Sequence, residues 1–305
     1  MKGYAKDEND VARDLYSALQ QFFTIFSEQR KNDFYITGES YAGKYVPAIA
    51  YKIHSEGNSS NIPLKGIAIG DGLCDPQTMF RYGEYLYQIG LLDENQRDFF
   101  NSEEKKAVKY IENGQYFDAF KIFDFLLNGD LINGTSYFTN ITGLTFYYNF
   151  LLSTAPDDFS YYSKYLGLEA TRRAIHVGNL TYNEGNVVEM HIINDIMNTV
   201  KPWFAALLDA NYKVLIYSGQ LDIIVAAPLT ESFLNSVQWS GAEQYKKADR
   251  KIWKVSPKDV DVAGYVRTVN KFLQVIVRNG GHILPYDQPR ASLDMITRFV
   301  KNQSF

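Results

Sequence analysis

A single cysteine, Cys74, leaves nothing for an intramolecular disulfide to close on, so no disulfide framework holds this chain of 305 residues. A lone cysteine of this kind reads as a small buried side chain. Histidine is scarce as well: His54, His176, His191 and His282 show no H-E-x-x-H spacing, and no C-x-x-C exists beside them. No structural or catalytic metal is therefore expected, and no cofactor. No apolar run reaches the roughly 20 residues of a membrane span. The first ten residues lack the apolar core of a secretory leader. The formal net charge of −4 gives no electrostatic case for binding nucleic acid. No internal repeat or low-complexity tract appears. What remains is 46% hydrophobic and 22% charged, an ordinary globular composition with room for a large core in one or two domains.

Against that background one stretch stands out. An apolar run at 34–37 reads as a buried strand, and 44–54 has helical periodicity. Between them lies Gly38-Glu39-Ser40-Tyr41-Ala42-Gly43. Strand, tight turn and helix with serine at the apex form a nucleophile elbow, which exposes the hydroxyl on a strained backbone. Small residues must flank it, because strand and helix nearly touch. Gly38 lies two before Ser40, as G-x-S-x-G requires. Ala42 stands two after, where the pattern has glycine, and Gly43 follows one later.

The rest of the chain alternates in a readable way. Residues 10–30 carry Val11, Leu15, Leu19, Phe22 and Phe26 at helical spacing, with Asp10 placed to cap the start. A second buried strand spans 64–70. From 77 to 206 helical stretches dominate (83–89, 94–111, 116–127 and 168–177), separated by polar loops, and no strand alternation appears. The chain thus divides into a first core part (1–76), a mainly helical cap or lid (77–206) and a second core part (207–305). The second part holds strands at 213–218, 251–255, 262–267 and 273–277 and a terminal helix over 289–300. Asp222 follows the first of these strands, where an open α/β sheet places its chemistry; on this stretch alone the plainer reading is a cap for a helix starting at Ile223. His282 follows Gly280-Gly281 beyond the last strand. Ser40, Asp222 and His282 stand in the chain order of an α/β-hydrolase triad.

Several motifs together resemble the serine carboxypeptidase family. They are Gly-Glu-Ser-Tyr-Ala-Gly-Lys-Tyr-Val-Pro at 38–47, Gly-Ile-Ala-Ile-Gly-Asp-Gly at 66–72, Tyr-Leu-Gly-Leu-Glu-Ala-Thr-Arg-Arg-Ala-Ile-His-Val at 165–177, the Asp222 strand, and Gly-Gly-His-Ile-Leu-Pro-Tyr-Asp-Gln-Pro at 280–289. The likeness covers nearly the whole chain. It implies an α/β-hydrolase fold with a helical insertion. It also implies release of C-terminal residues from peptides with a free C-terminus, in an acidic secretory, lysosomal or extracellular setting. Ser40 would be the nucleophile, His282 the general base and Asp222 its orienting carboxylate. The Tyr41 backbone N–H would supply an oxyanion donor. Glu39 would help hold the substrate carboxylate through a shared proton, which favours acid pH; its plainer reading is a hydrogen-bond acceptor in the elbow. Five N-x-S/T sequons, at Asn58, Asn133, Asn140, Asn179 and Asn302, suit secretory ancestry and glycosylation.

The resemblance also exposes departures. Only 39 residues precede Ser40. The family's Asn-Gly-Gly-Pro-Gly segment, the glutamate that would partner Glu39 and the family's disulfide cysteines have no counterpart here. The chain is therefore expected to be roughly the carboxyl-terminal two thirds of such an enzyme, with a partial central sheet. Its partner would be the missing amino-terminal segment or a second copy pairing along the open edge. Loss of one oxyanion donor costs about 10²–10³ in turnover, so the isolated chain is expected to be weakly active or inactive. Two other readings stay open: a non-catalytic binding protein keeping the triad as a relic, and a serine esterase or acyltransferase on the same scaffold.

Overall fold

The computed structural model describes residues 3–131, 135–183 and 185–305. Six strands form one sheet: β1 (Phe34–Glu39), β2 (Leu64–Gly70), β3 (Lys213–Gly219), β4 (Lys251–Trp253), β5 (Gly264–Val269) and β6 (Phe272–Val277). Their order is β1-β2-β3-β6-β5-β4. The first four are mutually parallel, β5 pairs antiparallel with β6, and β4 pairs antiparallel with β5. The parallel strands are continuous apolar runs because both faces are covered. Ile67, Ile69, Val214 and Ile216 join the large core on one face, together with Val46 and Ala50 of the elbow helix (Ala42–Ser55). Ala68, Leu215, Val275 and Val277 face the other way, onto Met295 and Phe299 of the terminal helix (Pro289–Lys301). The alternation is the two-residue period of a strand.

Helices fill the stretch between β2 and β3, and no strand lies there among the described residues. Four of them match the periodic stretches of the sequence: Tyr82–Gln88, Glu94–Glu112, Tyr116–Phe123 and Glu169–Ala174.

The amino-terminal helix departs from expectation in two ways. It runs Glu8–Ile25, and Asp7, not Asp10, caps it by accepting the Asp10 N–H at 2.9 Å. Asp10 lies inside the first turn and pairs with Arg13. The apolar stripe is also only partly covered: Val11 and Leu19 pack against the core. Phe23 packs with Ile49, Ile53 and Ile62 against the elbow helix, whereas Leu15, Phe22 and Phe26 are 41%, 45% and 45% exposed. The reason is position: β1 is the outermost strand, so this helix meets protein on one side only. Periodicity reports how apolar residues are spaced, not which neighbour is present to cover them.

One buried polar contact ties these layers together. Lys44, on the first turn of the elbow helix, is fully buried. Its ammonium donates to the carbonyls of Asp195, Ile196 (3.1 Å) and Asn198 (2.8 Å), and lies 3.8 Å from the Asp195 carboxylate. Asp195 also accepts the Glu8 backbone N–H at 3.1 Å. The Glu8 carboxyl is buried beside this pair, with the Tyr41 side chain alongside. Burial chiefly pushes it up from its ordinary 4.5 to about 8, so it stays neutral through most of the physiological range.

Replacing Lys44 with methionine strips the donors and leaves Asp195 as an uncompensated buried charge. A loss of about 3–5 kcal/mol in denaturant unfolding is expected; a loss below about 1 kcal/mol would contradict this account. The folded protein holds the Glu8 proton up to about pH 8, whereas the unfolded chain releases it near 4.5. Stability should therefore fall as pH rises between those values. Glu8→Gln should flatten that slope in melting curves taken across the interval.

Candidate active site

The site is built where the parallel strands end. Glu39 closes β1, Gly70 closes β2 and Gly219 closes β3, and the register pairs Glu39 with Gly70 and Gly219 with Val277 of β6. Parallel strands in register leave the sheet at one edge, so the loops that follow them converge there.

Ser40 adopts φ 62, a left-handed conformation that is strained for a residue with a side chain. The strain is held from several directions. Its N–H donates to Gly70 O at 2.9 Å, and its carbonyl accepts from Gly43 (2.9 Å) and Leu73 (3.1 Å). The small residues around it are required by contact. A Cβ on Gly38 would overlap the Ala42 methyl, and one on Gly43 would press into the Gly72–Leu73 backbone. Gly43 therefore lets the elbow helix lie against the loop after β2.

Sequence-distant groups complete the arrangement. His282 is 1% exposed and Asp222 is fully buried. Ser40 Oγ lies 2.7 Å from His282 Nε2, and His282 Nδ1 lies 2.8 Å from Asp222 Oδ2. With Nδ1 donating to the carboxylate, Nε2 is free to accept the serine proton. The other Asp222 oxygen accepts the Val225 N–H at 3.2 Å, so its side chain closes a turn as well as facing the histidine. Gly219 and the His282 loop touch backbone to backbone: an added Cβ on Gly219 would overlap the Gly280 and Gly281 carbonyls.

Three supporting residues carry no signal in the sequence. The Tyr148 carbonyl accepts the His282 N–H at 2.6 Å, and its ring lies 4.6 Å from the imidazole. The preceding residue, Tyr147, offers its carbonyl to Ile223 and Ile224, just after Asp222. The helical stretch between β2 and β3 thus clasps both the histidine and the aspartate loops. Tyr85 adds a hydrogen bond from its hydroxyl to Asp222 O at 2.8 Å.

Glu39 is half-buried and accepts the Tyr217 hydroxyl at 3.2 Å. Tyr217 reaches it across Gly70, where any side chain would collide with the ring. Burial raises the Glu39 carboxyl above its usual range, opposed by His282 and the tyrosine hydroxyl. Tyr41 opens the elbow helix, at the end where backbone N–H groups lack helical partners.

Ser40 and His282 open onto a cavity of about 510 Å³. Tyr41, Tyr82, Tyr147 and Tyr148 line it, with Asp130 and Glu189 among its polar groups. Glu189 is pushed up from the ordinary carboxylate range first by partial burial and then by the charges of Asp130 and Asp124. Among the described residues no group of histidine, cysteine and carboxylate side chains could hold a metal ion, and no helix is long and apolar enough to cross a membrane. Of the sequons, Asn58, Asn140, Asn179 and Asn302 are exposed, and Asn133 lies outside the described residues.

Comparison with known proteins places this geometry. The family model described as serine carboxypeptidase matches residues 1–302. The chain is 56% identical over 301 residues to a probable serine carboxypeptidase CPVL of Homo sapiens, covering 98% of this chain and 63% of that protein. It is 46% identical over 308 residues to a venom serine carboxypeptidase of Apis mellifera, covering 100% and 65%. It is 40% identical over 303 residues to a vitellogenic carboxypeptidase of Aedes aegypti, covering 98% and 63%. The chain therefore spans less than two thirds of the length of these relatives. In structure it is similar to Kex1(Δ)p, a prohormone-processing carboxypeptidase from Saccharomyces cerevisiae, with a TM-score of 0.80 at 21% identity, covering 98% of this chain and 68% of that one. That likeness identifies the α/β-hydrolase fold. A family match running nearly end to end, over strand ends that carry serine, aspartate and histidine in this order, leaves one assignment: the chain belongs to the serine carboxypeptidase family.

Proposed function

We propose that this chain carries the triad of a serine-type carboxypeptidase, with Ser40 as nucleophile, His282 as general base and Asp222 as the carboxylate that orients it. The observation that carries the reading is the continuous contact Ser40–His282–Asp222, at 2.7 and 2.8 Å, at the mouth of a cavity. His282 Nε2 takes the Ser40 proton as Oγ attacks the scissile carbonyl carbon. The Tyr41 N–H, at the helix start, receives the oxyanion. Collapse of the tetrahedral intermediate passes the proton from His282 to the leaving amine and leaves an acyl-serine. Water then repeats the cycle and frees the acid.

The substrate class follows from Glu39. A carboxyl beside His282, held above its usual range by burial, can hydrogen-bond a peptide's terminal carboxylate while it keeps its proton. The proton is present at acid pH and lost as pH rises through the raised value, so terminal-carboxylate binding should weaken in that direction. This suits peptides with a free C-terminus, an acidic compartment of the secretory pathway or its exterior, and glycans on the exposed sequons. A remaining segment of the whole protein, or another copy along the β1 edge, would be its macromolecular partner.

Fluorophosphonate labelling of the 305-residue chain tests the triad without needing peptide recognition. Labelling should vanish in Ser40→Ala and slow roughly 10³-fold or more in His282→Ala. Labelling that survives Ser40→Ala, or that keeps the native rate in His282→Ala, sinks the assignment.

Substitutions at Glu39 separate a carboxypeptidase from an esterase. Glu39→Ala, which offers no donor, should raise KM about tenfold or more for peptides with a free carboxyl end and spare small neutral esters, whereas Glu39→Gln, whose amide can still donate, should keep the acid-pH KM and flatten its rise with pH. Equal losses on both substrate types would show that Glu39 serves only the elbow.

A further inference from the structure

Beside the triad lies a carboxyl group that the mechanism does not use. Asp71 follows the last residue of β2 and is fully buried. Its backbone sits at φ 41, in the left-handed region, and its N–H donates to Tyr217 O at 2.8 Å. Its Oδ1 accepts the Gly219 N–H at 2.8 Å, joining the ends of β2 and β3. Its Oδ2 receives no donor among the described residues. The same Gly219 turns its carbonyl toward the Asp222 N–H, at 3.5 Å, which brings the Asp222 carboxyl alongside Asp71.

Two ionised carboxylates are both acceptors only, so they cannot bond to each other. A bond between them needs a proton, and the surroundings favour one holder. Asp222 faces two donors, the His282 Nδ1–H and the Val225 N–H, and both stabilise its anion. Asp71 faces one, the Gly219 N–H. We propose that Asp71 is a positioning residue of the triad: a neutral carboxylic acid whose Oδ2–H donates to the Asp222 carboxylate and holds it toward His282.

The titratable groups around Asp71 point the same way. Asp222 beyond β3 and Glu39 at the end of β1 are both acidic, and the Tyr217 phenol of β3 lies alongside; His282 beyond β6 faces Asp222 and Glu39. Burial first, then Asp222, raises the Asp71 carboxyl well above its ordinary range. The sign follows. At acid pH Asp71 is neutral and supports Asp222. As pH rises through its raised value it ionises, and a second buried negative charge then repels the triad aspartate. Acid pH thus favours an assembled triad through a group separate from Glu39.

This inference rests on the triad reading above, and the test separates the two. Asp71→Asn mimics the neutral acid: its amide oxygen can accept from Gly219 and its NH₂ can donate to Asp222, but it cannot ionise. Fluorophosphonate labelling rates and melting temperatures of the full chain would be followed from about pH 4.5 to about pH 7.5. The asparagine variant should label at the native rate at the acid end. Its rate and melting temperature relative to the native protein should both climb as pH rises. Asp71→Ala, which offers Asp222 no donor, should label roughly 10- to 100-fold more slowly throughout. Parallel pH profiles of the native and asparagine proteins in both readouts would overturn the proposal. So would an asparagine variant that is folded by circular dichroism yet as slow as the alanine variant at the acid end. If the native chain does not label at all, the triad reading fails. The melting temperatures still decide the state of Asp71: divergence with pH supports a neutral acid, and parallel curves overturn it.

Discussion

Parallel pairing of β1, β2, β3 and β6 is the constraint from which the site follows. Because these strands run the same way and in register, their exits share one edge of the sheet, and four short loops must fit there. The space is so limited that backbones touch. Gly219 lies against the Gly280 and Gly281 carbonyls, Gly43 against Gly72 and Leu73, and Gly70 beneath the Tyr217 ring. Each glycine is present because a neighbouring backbone or ring occupies the place of its side chain. That crowding also brings a histidine, a serine and an aspartate to hydrogen-bonding distance on a strained turn.

Crowding has an electrostatic consequence. Glu39, Asp71 and Asp222 end or follow three neighbouring strands and are wholly or partly buried around one imidazole. Three unscreened negative charges in so small a volume would be prohibitive. The solution is unequal environments: Asp222 receives two donors, Glu39 a tyrosine hydroxyl, and Asp71 a single backbone N–H. The same logic recurs under the elbow, where Asp195 faces the Lys44 ammonium while neighbouring Glu8 is kept neutral by burial. In both places burial raises one carboxyl beside another that faces a donor or a cation.

The helical stretch between β2 and β3 is more than a cover for the cavity. Tyr147 and Tyr148 anchor the loops of Asp222 and His282 through backbone bonds, and Tyr85 reaches the Asp222 carbonyl. Ile192 and Ile196 line the cavity near the turn that Lys44 grips. The shape of the pocket and the aim of the histidine therefore depend on the same segment.

Much of this was legible in the residue order. The elbow announced itself through Gly38, Ser40 and Gly43 because a strand–turn–helix transition is a property of contiguous residues. The six strands and the principal helices followed from apolar period and length, and the order of the motifs revealed the family. Other features were not legible, because they depend on what lies across space. Ser40 and His282 meet from 242 positions apart, and His282 and Asp222 from 60. The cap at Asp7 rather than Asp10, and the exposed Leu15, Phe22 and Phe26, depend on where the chain turns and on what packs beside it. Nothing in the order of residues marks Tyr148 as the support of His282, Tyr217 as the partner of Glu39, or Asp71 as the neighbour of Asp222. By itself the sequence determined which chemical groups exist and which local turns present them. Tertiary structure decided which groups touch, which are stripped of water and so which keep a proton, because burial and charge act through space rather than along the chain.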